Sequence, residues 1–210
     1  MATISDLGKY VEAGALAEVE RVVNELLNEG TAPEKIIEDG IVPTLDVVGK
    51  KFSKGECFIP EMLIAAKASQ KAIDILRPML VDRGVYKPKA RIVIGTVMGD
   101  LHDIGKNIVS MVLESAGFEV KDLGVDVSPE TFIDTIKELN PDIVALSCLI
   151  TTTMTNMRVT IEKIKEANLR DSVKIIIGGP PINEDFASEI GADLYGENAY
   201  TGLEKLRALI

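Results

Sequence analysis

The chain has 210 residues, 46% of them hydrophobic and 27% charged, with a formal net charge of -10. That is long enough for two small domains or one large one with a sizeable core. The acidic balance, with no clustered Lys/Arg surface, argues against nucleic acid and favours protein or small-molecule partners. No apolar run nears the roughly 20 residues a bilayer span needs, and the opening Met-Ala-Thr-Ile-Ser-Asp has no basic region leading into an apolar stretch, so a cytoplasmic protein without a membrane partner is expected.

An opening helix is expected over 4–11. The spacing of Leu16, Val19, Val22, Val23, Leu26 and Leu27 predicts a second, ended by Asn28-Glu29-Gly30. Thr31-Ala32-Pro33-Glu34 has the form of a capped start with proline in the first turn and leads into a short helix that should stop near Gly40. Two more helices are predicted over 43–52 and 60–80, the latter with an apolar stripe of Met62, Leu63, Ala66, Ile73, Leu76 and Leu80. Residues 1–85 thus read as a helical bundle. Phe52 and Phe58-Ile59-Pro60-Glu61-Met62 stand out in a chain with 4% aromatics; core filling at a helix junction is one reading of them. The polar stretch 81–90, with Gly84 and Pro88, reads as a linker.

Beyond it the pattern changes to strand-like runs over 92–97, 118–123, 143–147, 173–177 and 193–195. Helices are expected between and after them over 108–116, 129–139, 154–167, 184–190 and 199–208. Five βα units predict a parallel sheet with right-handed crossovers, in the flavodoxin-like order 2-1-3-4-5. In such a domain, here 86–210, ligands bind beyond the carboxyl ends of the strands where the order reverses, between strands 1 and 3.

Two loops converge on that crevice. The first, Val97-Met98-Gly99-Asp100-Leu101-His102-Asp103-Ile104-Gly105-Lys106-Asn107, holds the only histidine of the chain. An imidazole that binds metal usually gives its other ring N–H to a carboxylate, and Asp100 and Asp103 are both close in sequence. One His and two distant cysteines cannot make a structural zinc site. A single protein ligand suffices when a macrocycle brings the remaining nitrogens, as in a haem or a corrinoid. Gly99 permits unusual backbone angles, and Gly105 permits close approach to the first helical turn. The second loop begins Ser147-Cys148-Leu149-Ile150-Thr151-Thr152-Thr153. Its threonines can cap a helix or, beside Asp100, complete a Thr–Asp–His relay. Gly178-Gly179-Pro180-Pro181 follows strand 4 and reads as a tight turn or, with Gly95 and Gly99, as a backbone lining without Cβ atoms. Cys57 and Cys148 lack a Cys-x-x-Cys partner and read as reduced, buried thiols.

Asp100-Leu101-His102-Asp103-Ile104-Gly105 resembles the Asp-x-His-x-x-Gly signature of cobalamin-binding domains, and its surroundings resemble the corrinoid proteins of methyltransferase systems, over nearly the whole chain. The resemblance implies a cobalamin (methylcobalamin) cofactor with His102 as lower axial cobalt ligand in place of the cofactor's own benzimidazole. It implies that Asp100 and Thr153 hydrogen-bond behind that histidine, that Ser147 and Thr151 contact the displaced nucleotide tail with Gly178 and Gly179 beside it, and that Gly105 and Leu149, as positions of the two signatures, belong to the cofactor-binding set. By the same resemblance the N-terminal bundle is a cap over the reactive cobalt face, with Phe58 and Met62 as contacts. The chain would then have no catalytic residue of its own. It would pass a methyl group from a substrate:corrinoid methyltransferase to an acceptor methyltransferase of the tetrahydrofolate or coenzyme M type, served by a reductive activase. A phospho-accepting receiver is argued against by Leu146-Ser147-Cys148 where its aspartate would stand. A flavodoxin-type FMN carrier would need no histidine at the turn and would prefer aromatic stacking. A cobalamin sensor should carry a basic DNA-binding segment. The cobalamin subunit of a radical isomerase shares the second half and differs in the first.

Overall fold

The computed structural model describes residues 2–82 and 88–209. They fall into two compact units, Met1–Lys87 with Glu114–Ala116, and Pro88–Leu113 with Gly117–Ile210. Of the expected linker, residues 83–87 lie outside the described residues.

The first unit is helical: α1 (Ile4–Glu12), α2 (Leu16–Asn28), α3 (Pro33–Ile36), a π-helical turn (Ile37–Ile41), α4 (Val42–Ser53) and α5 (Ile59–Asp82). Thr3 Oγ1 accepts the Asp6 N–H at 3.1 Å and so caps α1. Val19, Val22, Val23 and Leu26 of the predicted α2 stripe form a core with Leu7, Val11, Ile73, Leu76 and Leu80, and Leu27 packs against it, whereas Leu16, at the first position of the helix, is exposed. Gly40, expected to stop the third helix, does not. Its missing side chain makes room for α1, since a Cβ there would lie 3.2 Å from Leu7 Cδ2 and 3.3 Å from Ile4 Cγ2. The helix runs on through the π-turn, in which the Val42 N–H reaches back to Ile37 O. That widening precedes Pro43, which has no N–H to give and whose ring would press on the Asp39 carbonyl of an unbroken α-helix. Met62 is buried but Phe58 is 69% exposed, so core filling explains the first and not the second.

The second unit alternates β1 (Arg91–Thr96), α6 (Ile104–Ser115), β2 (Glu119–Asp122), α7 (Pro129–Leu139), β3 (Ile143–Ser147), α8 (Met154–Glu166), β4 (Lys174–Gly178), α9 (Glu184–Ile190), β5 (Leu194–Gly196) and α10 (Ala199–Arg207). The sheet is parallel in the order β2-β1-β3-β4-β5. Buried on both faces, β1, β3 and β4 read as unbroken apolar runs, whereas the edge strand β2 carries Glu119, Lys121 and Asp122. Phe132, Ile136, Val144, Met157, Ile164 and Ile175 belong to the core between sheet and helices. Gly95 of β1 serves this core rather than a ligand slot, because a Cβ would meet Phe132 Cζ at 2.8 Å and Val127 Cγ2 at 3.2 Å. Helix α6 begins four residues earlier than its periodicity suggests. The Asn107 N–H already donates to Asp103 O at 2.8 Å, and Lys106, polar and so read as loop, is buried in an ion pair with Asp122.

Candidate functional site

Strand β1 ends at Thr96, and the chain turns at Gly99, whose φ of 82° belongs to the left-handed region that glycine tolerates. Two side chains from outside the turn brace it. Asp126, after β2, accepts the Gly99 N–H on Oδ1 at 2.7 Å, and Asn156 of α8 donates through Nδ2 to Met98 O at 2.6 Å. Thr96 Oγ1 donates to His102 O at 2.9 Å, tying the turn to the strand end. Neither Asp126 nor Asn156 was legible as part of the site, because their contacts bridge 27 and 58 residues of sequence.

Asp100 is completely buried, yet both of its oxygens are satisfied. Oδ1 accepts the His102 backbone N–H at 3.1 Å and lies 2.7 Å from His102 Nδ1. Oδ2 accepts from the Leu149 N–H at 2.8 Å, the Ile150 N–H at 3.4 Å and Thr153 Oγ1 at 2.9 Å. Burial by itself pushes this carboxyl up. The hydrogen bonds from the Leu149 amide, the His102 ring and amide and the Thr153 hydroxyl outweigh it and hold Asp100 well below the usual carboxylate range. Asp100 is therefore an anion at neutral pH, and its pull on Nδ1 fixes the imidazole tautomer and leaves Nε2 as the ring's free donor atom. The His102 side chain is 52% exposed.

The β3–α8 loop supplies the other half. Among its threonines only Thr153 reaches Asp100. The hydroxyls of Thr151–Thr153 do not cap α8, so the relay geometry is present and the capping reading is not. Thr151 is exposed, while Leu149 takes part through its backbone. Ser147 closes β3 between Thr96 and Gly178 in register. The paired glycines have internal reasons to lack side chains: a Cβ on Gly178 would lie 2.9 Å from Gly196 O, and one on Gly179 only 1.8 Å from Cys148 O. Gly105 differs, since a Cβ there would meet nothing within 4 Å, leaving open space at the first turn of α6.

Around His102 the two loops expose Leu101 (72%), Met98, Leu149 and Ile150, and the first residue of α6 exposes Ile104 (75%), together an apolar rim unusual for a solvent-facing surface. Among the described residues no group of three or more His, Cys, Asp or Glu could hold a metal ion. A metal at His102 must bring its other donors with it, and an apolar rim about one oriented imidazole suits a macrocycle that does so.

Fold and turn together define a cobalamin-binding module. The family described as B12 binding domain matches residues 90–204, and a second family of the same description matches residues 3–77. The chain belongs to this family of B12-binding corrinoid proteins. It is 44% identical over 192 residues to the trimethylamine corrinoid protein of Methanosarcina barkeri, covering 91% of this chain and 88% of that one. It is 42% identical over 195 residues to dimethylamine corrinoid protein 1 of Methanosarcina acetivorans, covering 93% and 89%. A cobalamin-binding protein from Desulfitobacterium hafniense superposes with a TM-score of 0.84 at 34% identity over the full length of both chains. A chain of the methanol:cobalamin methyltransferase complex of Methanosarcina barkeri superposes with a TM-score of 0.82 at 27% identity, covering 98% of this chain and 78% of that one. The cofactor is thus a corrinoid. No described helix is long and apolar enough to cross a membrane.

Proposed function

We propose that the chain is a methyl carrier that holds cobalamin with His102 in the lower axial position and the benzimidazole displaced. The observation that carries this reading is the buried, anionic Asp100 aimed at Nδ1 of the chain's single histidine. When bound, the corrinoid supplies a cobalt centre that accepts and releases a methyl group. This chain's residues do the rest: His102 ligates through Nε2, Asp100 sets the basicity of the ring, and Thr153 moderates Asp100 by donating to its other oxygen. The apolar rim shields the macrocycle. Open space at Gly105, together with Ser147, Thr151 and the backbone of Gly178 and Gly179, borders the nucleotide tail. Residues 1–85 act as the cap, with Phe58 the exposed aromatic it offers, and residues 86–210 hold the cofactor.

The methyl donor we assign is a methylamine, because the relatives named for trimethylamine and dimethylamine match at 42–44% identity over about nine-tenths of the chain. The partners are then a methylamine:corrinoid methyltransferase, an acceptor methyltransferase and a reductive activase. Protein reconstituted with hydroxocobalamin, reduced, and given a methylamine with such a methyltransferase should change its absorption spectrum in step with methyl transfer. A requirement for an adenosyl group would overturn the carrier reading in favour of a radical isomerase subunit.

Asp100→Asn tests the relay. An amide keeps one acceptor and turns the other into a donor facing either Leu149 N–H or the imidazole, at a cost of about 1–3 kcal/mol. The cobalt midpoint potential should move more than corrinoid affinity does, and equal potentials in variant and parent would contradict the relay. In the apoprotein the sign with pH follows from the depressed carboxyl. Asp100 contributes stability fully above its unfolded value of about 3.9 and loses it as pH falls through the lower native value. Asp100→Asn should flatten that acid limb of the stability curve.

A further inference from the structure

Cys148 lies behind the relay. Its Sγ is 3.1 Å from Thr153 Oγ1 and 3.1 Å from Ile150 O, and it is buried. Its backbone is pinned, with the Cys148 N–H donating to Gly178 O at 3.2 Å and Gly179 packed against its carbonyl. The proton inventory around it is short. Thr153 has one hydroxyl proton and three acceptors in reach, Asp100 Oδ2 at 2.9 Å, Ile150 O at 3.0 Å and Cys148 Sγ at 3.1 Å, of which the sulfur is a weak acceptor beside the charged carboxylate. The thiol has one proton and can give it to Ile150 O or to Thr153 Oγ1. In the first case the competing carbonyl is satisfied, and in the second the Thr153 hydroxyl is polarised toward its own acceptor. Both arrangements direct the Thr153 proton to the carboxylate.

We propose that Cys148 is a positioning residue of this site: its thiol, held between Ile150 O and Thr153 Oγ1, commits the Thr153 hydroxyl proton to Asp100 and so limits how strongly Asp100 pulls on His102. Burial pushes the thiol up, more than the Thr153 bond lowers it, and the charge of Asp100 acts in the same direction as burial. The group is thus a proton donor at neutral pH. Without the thiol, Ile150 O competes for the Thr153 proton, Oδ2 loses a donor for part of the time, and Oδ1 becomes a stronger acceptor for the Nδ1 proton. The imidazole then binds cobalt more tightly in the higher oxidation states. Only this last consequence rests on the reading of His102 as cobalt ligand.

The experiment has one arm without cobalt. With a single histidine, apoprotein labelled with 15N-histidine gives one set of ring signals, and the Nδ1 signal reports its bond to Asp100. Cys148→Ala should shift that signal in the direction of a stronger bond. Thr153→Val should shift it further the same way, and Cys148→Ser should return it toward the parent value. A shift for Thr153→Val with none for Cys148→Ala overturns the proposal, as does a Cys148→Ser spectrum that stays with Cys148→Ala, which would indicate lost packing. In reconstituted protein, Cys148→Ala should raise the Co(II)/Co(I) ratio at a fixed potential about threefold, a midpoint lower by about 28 mV at 59 mV per tenfold. An unchanged or higher midpoint overturns this arm. If the parent shows no histidine ligation, the reading of the function fails while the apoprotein signals still decide the role of Cys148.

Discussion

Gly179→Ala should leave the second unit unable to fold. Gly179 has a φ of 136°, a conformation that side chains rarely adopt, and its Cβ would sit 1.8 Å from Cys148 O and 2.9 Å from Cys148 C. Both offending atoms are backbone, held by the β3–β4 ladder and by the Cys148 N–H to Gly178 O bond. Neither can swing aside as a flexible side chain would. Relief requires the β4–α9 turn to leave the sheet, at a cost on the order of 4–5 kcal/mol, comparable with the whole stability of a marginal domain. Gly105→Ala is the control. With nothing within 4 Å of its Cβ and a helical position, it should fold at least as well as the parent, gaining up to about 1 kcal/mol from helix propensity. Thermal unfolding of the two apoproteins checks both expectations, and a well-folded Gly179→Ala would mean that the close approach at Cys148 is wrong.

His102→Ala should have the larger functional effect and a small structural one. The side chain is half-exposed, and its loss leaves Asp100 with four donors, from His102 N–H, Leu149 N–H, Ile150 N–H and Thr153 Oγ1. Melting should therefore stay close to the parent. Corrinoid affinity should fall by at least the about 10–100-fold that losing an outer partner of a metal ligand already causes, and the absorption spectrum of what binds should lack the histidine-ligated form. Gel filtration of apoprotein with hydroxocobalamin, read by absorbance, measures both. Unchanged retention and spectrum would mean that another group ligates cobalt.

Much of this was readable from the chain because it is written locally. Continuous apolar runs mark β1, β3 and β4 as buried strands, and alternation with helices fixes a parallel sheet whose switch point lies where Asp100 and His102 stand. The relay was also legible, since a carboxylate two residues before the only histidine and a hydroxyl loop after β3 are sequence patterns. What escaped is set by contacts distant in sequence. Gly40 and Gly95 look like a stop and a slot, and are glycine because α1 and Phe132 come too close for a Cβ. Gly178 and Gly179 look like a ligand lining, and are first of all places where backbone meets backbone. Asp126 sits in the loop after β2, away from the β1–β3 crevice that the topology rule singles out, so nothing directed attention to it. Cys148 drew no chemistry because a lone thiol has none until Thr153 is placed beside it.

His102 as the axial ligand carries the proposed function, and the chain's single histidine makes a direct measurement possible. Protein grown with 15N-histidine and loaded with unlabelled cobalamin, reduced to the Co(II) state, should show electron paramagnetic resonance lines split into doublets by the labelled ring nitrogen. The same lines remain triplets when unlabelled protein is used. Triplets that persist in the labelled protein would show that the cofactor's own benzimidazole is still coordinated, and would rule out His102 as the axial ligand.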